Sequence, residues 1–150
     1  MDIDVKLGSV FSDALSEVIA TVSSVYLEAL SSKDDSFKEM IGVMNLNGKK
    51  SGMLFVSANE SDMRVLCSCM IGVPPAGVTK DDMEDALCEF VNMTAGNAKL
   101  RLSDTEYVYQ LPSPFIIKGK NITIVAKRKM HMISKALGNG EISVNFKVVF

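Results

Sequence analysis

The sequence has few of the residues from which metal and disulfide sites are built. It contains one histidine, His131, three cysteines and no tryptophan. Cys67 and Cys69 do not form a Cys-x-x-Cys pair, and an odd number of cysteines does not suit a disulfide framework. A zinc site needs three or four suitably spaced ligands, and the sequence shows no such set. We therefore expect free buried thiols and no metal site.

Long apolar runs and an excess of positive charge are also missing. No run approaches the roughly 20 apolar residues that span a bilayer, and the acidic start Met1-Asp2-Ile3-Asp4 is unlike a signal peptide. The net charge of −2 argues against binding to nucleic acid or to an anionic membrane surface. These features predict a cytoplasmic protein that binds neither nucleic acid nor membrane.

One short phrase occurs twice. The later copy is complete and reads Asp85-Ala86-Leu87-Cys88-Glu89-Phe90-Val91-Asn92, whereas the earlier copy reads Asp13-Ala14-Leu15-Ser16-Glu17-Val18-Ile19-Ala20. The earlier copy ends in Ala20 where the later one has Asn92. We interpret this as an internal duplication, with halves of about 1–77 and 78–150, in which one half keeps a working site.

The hydrophobic pattern predicts an α+β fold. Apolar residues at helical spacing indicate two long helices, at about 10–30 and 80–102, and a short helix at about 59–71. Ser9 or Ser12 could cap the first helix, Asn59 or Ser61 the short one, and Thr79 the last. Turn signals predict hairpins at 41–47 with 52–57 and at 115–118 with 122–127, and strict alternation predicts a strand at 141–150. We expect one domain, 1–150, with the helices packed on an antiparallel β-sheet.

The later copy places polar residues along one side of its helix. At 3.6 residues per turn they fall within a stripe about 80° wide that points away from Leu87 and Phe90; the stripe contains Asp85, Glu89, Asn92, Gly96 and Lys99. A glycine inside a helix costs about 1 kcal/mol relative to alanine. Gly96 would therefore allow close approach of another surface.

An exposed glutamate and asparagine can act together on another molecule. Asparagine does not take up a proton at neutral pH, but its amide both donates and accepts hydrogen bonds and so can orient a water molecule. Glu89 could bind a lysine of a partner. Such a pair is suited to enter the active site of another protein and to act there in trans.

These residues resemble the signature of the CheC/CheX/FliY chemotaxis phosphatases. The resemblance rests on Asp85-x3-Glu89-x2-Asn92, on the run Thr94-Ala95-Gly96-Asn97-Ala98-Lys99, and on the loop and strand at 111–119. It implies a CheC/CheX-like fold with internal pseudo-two-fold symmetry. It also implies dephosphorylation of the phospho-aspartate of a CheY-like response regulator.

The resemblance assigns roles to two residues of the stripe. Glu89 would contact the conserved lysine of the receiver domain and Asn92 would orient the attacking water. We expect the other residues of the stripe, Asp85, Gly96 and Lys99, to contact the partner. The chain would need no cofactor of its own, because the receiver carries its Mg²⁺. Ala20 favours the CheX-like form, which has a single site and dimerises through its β-sheet; the alternating C-terminal strand also suggested such a homodimer.

Two other interpretations stay open at this point. Glutamate and asparagine three positions apart are in most helices simply a solvated face. A chain with this fold could also bind a receiver or a flagellar protein without hydrolysing the phosphate.

Overall fold

The computed structural model describes residues 2–31 and 36–150, and within them three α-helices pack on an antiparallel β-sheet. The helices are α1 (Ile3–Ser23), α2 (Glu60–Ile71) and α3 (Lys80–Arg101), and a short 3-10 turn spans Pro75–Gly77. The seven strands described are β1 (Glu28–Ala29), β2 (Met40–Gly48), β3 (Gly52–Ala58), β4 (Tyr109–Gln110), β5 (Phe115–Lys118), β6 (Met132–Gly138) and β7 (Ser143–Val149). The predicted α+β class is confirmed.

The sheet brings the end of the chain beside its first hairpin. Its strand order is β1-β6-β7-β3-β2-β4, and β5 also pairs with β2. The predicted hairpin of β2 and β3 is confirmed, with register from Met40 opposite Ala58 to Leu46 opposite Gly52. β7 lies between β6 and β3 in the interior of the sheet. The C-terminal strand is therefore not the exposed edge that the sequence suggested as a dimer contact.

Both faces of the central strands are buried. Leu54 and Val56 of β3 point into the main core beneath the helices. Phe55 points to the other face, where it packs with Ile41, Val43 and Val149. Side chains of a strand alternate between faces, so this arrangement requires apolar residues at successive positions rather than at every second one.

Local signals define α2 and α3 accurately. The Asn59 side chain accepts from the Asp62 amide at 2.9 Å and caps α2. Thr79 caps α3: its hydroxyl accepts from the Asp82 amide at 3.1 Å, and the Asp82 carboxylate accepts from the Thr79 amide at 2.9 Å. This reciprocal arrangement satisfies two backbone donors at the start of the helix. Both predicted caps are confirmed.

The predicted bounds of the first helix are wrong at both ends. The cap is Asp2, which accepts from the Asp4 amide at 2.8 Å, and not Ser9 or Ser12. The helix ends at Ser23, and the next residue, its C-cap Ser24, has a left-handed φ of 57°. Beyond it the chain is extended, because Glu28 and Ala29 pair with the backbone of β6. The run Ser31-Ser32-Lys33-Asp34-Asp35 predicts a polar loop after the first helix, and positions 32–35 of this run lie outside the described residues.

The second predicted hairpin is also wrong. β5 is present, but 122–127 is not a strand. Ile122 and Ile124 instead pack against the outer apolar cluster of the sheet without joining its hydrogen-bond ladder. The hairpin at this end of the chain is formed instead by β6 and β7, and β6 was not predicted. The repeated phrase lies on α1 and α3, and the internal duplication stays a prediction.

Candidate functional site

The polar stripe of α3 lies on the side away from the core. Asp85, Glu89 and Asn92 are exposed, and Gly96 and Lys99 are half-buried. On the opposite side, Leu87 and Phe90 are 0% exposed. The structure thus brings all five predicted site residues to one side of one helix. Their roles stay predictions at this point.

The helix that carries the stripe is fixed at several points. The capping box of Thr79 and Asp82 holds its first turn. The buried Tyr109 hydroxyl donates to the Ala95 carbonyl at 2.7 Å, beside Gly96. An ion pair between Glu84 and Lys118 joins the helix to β5. Side chains on such a helix are presented in a defined orientation, which catalysis by positioning requires.

Glu89 and Asn92 are free to act on a partner. Across residues 2–31 and 36–150, no hydrogen bond or ion pair engages either side chain. Gly96 is similarly open, because a Cβ atom added there would meet only Leu111, whose Cδ1 would be 3.8 Å away. Packing within the described chain therefore does not require glycine at this position.

A groove of about 210 Å³ runs beside the stripe, between α2 and α3. It is lined by Met70, Ile71, Asp82, Asp85, Ala86 and Glu89. Three of these side chains are carboxylates and two are large and apolar. Such a groove suits a cation that arrives on an otherwise apolar surface. Ile71 was not singled out by the sequence, because nothing local shows that the end of α2 lies beside α3.

The cysteines nearby are not activated as nucleophiles. Burial raises the pKa of the Cys88 thiol, and the Asp85 and Glu84 carboxylates raise it further. Burial also raises the pKa of Cys67, with Asp82 and Asp85 adding to the shift. The thiolate is the reactive form, so both residues stay as unreactive thiols near neutral pH. The expectation of buried thiols holds for Cys67, whereas Cys88 is half-buried and Cys69 is exposed.

The first copy of the motif differs from the second. Asp13 and Glu17 are exposed on α1, and Ala20 is half-buried. The Glu17 carboxylate accepts from Arg101 of α3 at 2.6 Å. Arg101 was missed by the sequence reading, and no local signal could have revealed it, since the two residues are 84 positions apart.

Neither a metal site nor a membrane span is found in the part of the chain that the structure describes. Within it, no group of three or more histidine, cysteine or carboxylate side chains is placed to hold an ion. His131 contacts Asp4, with Nδ1 and Oδ1 2.5 Å apart. None of the helices described is long and apolar enough to cross a bilayer.

Comparison with known proteins gives one family and a set of similar folds. The model of the family "Chemotaxis phosphatase CheX" matches residues 40–136, which include α2 and α3. No curated protein matches at significant similarity. Because the family match covers more than half of the chain, it shows the family.

Solved structures support the same fold over almost the whole chain. The chemotaxis protein CheX from Vibrio vulnificus is 20% identical, with a TM-score of 0.81, and the match covers 95% of this chain and 97% of that one. A CheC-like superfamily protein from Shewanella sp. PV-4 is 24% identical, with a TM-score of 0.82 and coverage of 99% and 98%. The CheX of a CheX–CheY–BeF₃–Mg²⁺ complex from Borrelia burgdorferi is 19% identical, with a TM-score of 0.75 and coverage of 94% and 96%.

Proposed function

The chain belongs to the CheX family of chemotaxis phosphatases, and from this premise we propose that it hydrolyses the phospho-aspartate of a CheY-like receiver domain. One observation carries the proposal. Glu89 and Asn92 are exposed on a fixed helix, and nothing in the described chain engages their side chains. The complex from Borrelia burgdorferi, which pairs a protein of this fold with CheY, supports the choice of partner.

Asn92 acts by positioning a water molecule. Its carboxamide can accept a hydrogen bond from the water and donate another to an acceptor beside the phosphoryl group. The water oxygen attacks phosphorus, the acyl phosphate P–O bond breaks, and the aspartate carboxylate and inorganic phosphate are released. An acyl phosphate is already labile, so correct placement of the water is a sufficient contribution. The receiver supplies the aspartate and its own Mg²⁺, and this chain adds no cofactor.

The remaining residues of the stripe orient the receiver. Glu89 binds a lysine of the receiver, and Asp85 adds negative charge in the same groove. Lys99 lies two turns from Asn92 on the same side, where it can meet an acidic group of the partner. Gly96 leaves room for the receiver backbone beside Asn92. These contacts hold the phosphoryl group of the receiver within reach of the short Asn92 side chain.

Only one such site is proposed per chain. The first copy of the motif has Ala20 in place of the asparagine, so it lacks the group that would orient water. Its glutamate is engaged by Arg101. Asp13 and Glu17 therefore carry no catalytic role in this proposal.

The proposed working unit is a homodimer formed through the β-sheet, with β5 as the contact. Among the strands described, β5 pairs with β2 alone. Its Phe115 and Ile117 side chains are 44% and 36% exposed. An apolar strand edge of this kind is normally paired or covered.

The central experiment measures release of phosphate from a phosphorylated CheY-like receiver. We expect wild type to shorten the lifetime of the phosphate and Asn92→Ala to abolish this effect while keeping receiver affinity within about twofold. Asn45→Ala removes an exposed asparagine of β2 and serves as the matched control with full activity. If wild type binds the receiver but leaves its phosphate lifetime unchanged, the chain is a binding module and not a phosphatase.

A further inference from the structure

Three large apolar side chains are exposed around the catalytic stripe. Ile71 is 49% exposed, Leu100 is 77% exposed and Leu111 is 39% exposed. A single exposed apolar residue needs no explanation, but several around one site are typical of a binding surface. They come from α2, from α3 and from the loop before β5, so three different elements contribute to the surface around the stripe.

Each of the three has a defined place relative to the stripe. Ile71 lines the same groove as Asp85 and Glu89. The Leu111 side chain lies beside Gly96, with its Cδ1 3.8 Å from where a Cβ atom would be. Leu100 follows Gly96 by one helical turn and is about 12 Å along the axis from Asn92.

The short side chain of Asn92 requires a receiver to come close to the surface around the stripe. Its amide can enter the active site of a receiver only if the surface of that receiver comes down onto α3 itself. A standard protein interface covers about 800 Å² on each partner, which corresponds to a radius of about 16 Å. Leu100 falls within that radius of Asn92 along the helix axis. Leu111 lies beside Gly96, and Ile71 lies beside Asp85 and Glu89, which are neighbours of Asn92 in the stripe.

We infer that Ile71, Leu100 and Leu111 form an apolar rim on which the receiver domain docks, an inference that rests on the proposed function. The receiver is the occupant because the rim is continuous with Glu89 and Asn92. A second copy of this chain seated there would cover both side chains and block the reaction. The rim contributes affinity for the receiver, whereas Asn92 accelerates hydrolysis of its phosphate.

The test separates binding from turnover with rim variants. Leu100→Ser, Leu111→Ser and the double variant are compared with wild type and with Val125→Ser. Val125 is 70% exposed and lines the apolar pocket on the outer face of the sheet, away from α3. Receiver affinity is measured by calorimetry, and the KM and kcat of phosphate release are measured with the receiver phosphorylated by a small acyl phosphate.

Burial of a leucine side chain that is largely exposed, as in Leu100, corresponds to about a tenfold change in affinity, and burial of the smaller exposed part of Leu111 to about a threefold change. We expect Kd and KM to rise about tenfold for Leu100→Ser, about threefold for Leu111→Ser and more for the double variant, with kcat and the Val125→Ser values unchanged. Unchanged receiver affinity in the double variant, or a loss of kcat at unchanged KM, would overturn the rim. If wild type binds the receiver but does not release phosphate, the proposed function is wrong, and the rim is still tested because affinity is measured without turnover. If wild type does not bind the receiver, both the proposed function and the rim are wrong.

Discussion

Arg101 donates to the Glu17 carboxylate at 2.6 Å, and this ion pair joins the first copy of the repeated motif to the helix that carries the second. The same guanidinium donates through Nε to the Asn97 side chain at 2.8 Å. Glu17 is therefore engaged within the chain. Glu89, its counterpart in the second copy, is exposed and unengaged among the residues described. Two glutamates of the same motif thus differ in what they can offer to a partner.

This difference predicts opposite outcomes for the same substitution. Glu89→Gln should weaken receiver binding about tenfold, because a charge-assisted hydrogen bond contributes about 1.5–3 kcal/mol. Glu17→Gln should leave binding unchanged and lower the free energy of unfolding by less than about 1 kcal/mol, since its pair with Arg101 is solvent-exposed. Calorimetry and urea unfolding measure the two effects. Equal losses of affinity would contradict the assignment of Glu89.

Gly96 and Gly42 form a second matched pair. Among the residues described, a Cβ atom at Gly96 meets only Leu111, so Gly96→Ala should raise the free energy of unfolding by about 0.5–1 kcal/mol, through removal of a mid-helix glycine. At Gly42 the Cβ atom would lie 2.5 Å from Val91 Cγ2, and Gly42→Ala should destabilise by about 1–3 kcal/mol. Urea unfolding of both variants checks these signs.

A larger side chain at Gly96 tests its proposed role. Gly96→Leu should leave the chain folded, yet lower receiver affinity at least tenfold by obstructing the approach to Asn92. Circular dichroism and calorimetry are the measurements. Wild-type affinity in a folded Gly96→Leu protein would show that no surface comes close to α3 at this point.

The sequence predicted α3 and its stripe because both depend on local information. The cap at Thr79 lies within three residues of its partner, and the side of the helix that each residue occupies follows from helical geometry. Strand β6 was not predicted because its sequence lacks a clean alternation: the polar residues Ser134 and Lys135 are adjacent, with apolar pairs on either side of them. Its identity as a strand depends on pairing with β7, which periodicity cannot show. Contacts such as Arg101 with Glu17 depend on the tertiary fold in the same way.

Tyr109 gives a prediction for alkaline pH. Its hydroxyl donates to the Ala95 carbonyl, and burial raises the pKa of the phenol above its ordinary value of 10.0. Below pH 10 the phenol is protonated in both states, so the shift contributes nothing to the pH dependence. Above pH 10 the unfolded chain releases this proton first, which favours unfolding, and stability should fall as pH rises.

Tyr109→Phe isolates this effect. The variant should lose about 1 kcal/mol of stability at pH 7 with the hydrogen bond, and its stability should fall less steeply above pH 10. Urea unfolding at pH 7, 9 and 10.5 measures both terms. Tyr26→Phe is the control, because Tyr26 is 75% exposed and should change neither. A fall above pH 10 as steep as that of wild type would show that Tyr109 does not cause it.

The proposed dimer depends on the outer edge of β5, with which no other described strand pairs. Phe115 and Ile117 pair with Val43 and Ile41 of β2 on one side, and two β5 edges related by a two-fold axis would extend one sheet through both subunits. Sedimentation at micromolar concentration should therefore show a dimer that Ile117→Lys converts to monomer. Val65→Lys is the control, because Val65 of α2 is similarly exposed, 38% against 36% for Ile117, yet is remote from the sheet edge. Lysine at this position should break a β5 contact, because a buried charge beside apolar strands costs more than such an edge contributes. A dimer that survives Ile117→Lys would therefore have its contact elsewhere, and a wild-type monomer would contradict the dimer itself.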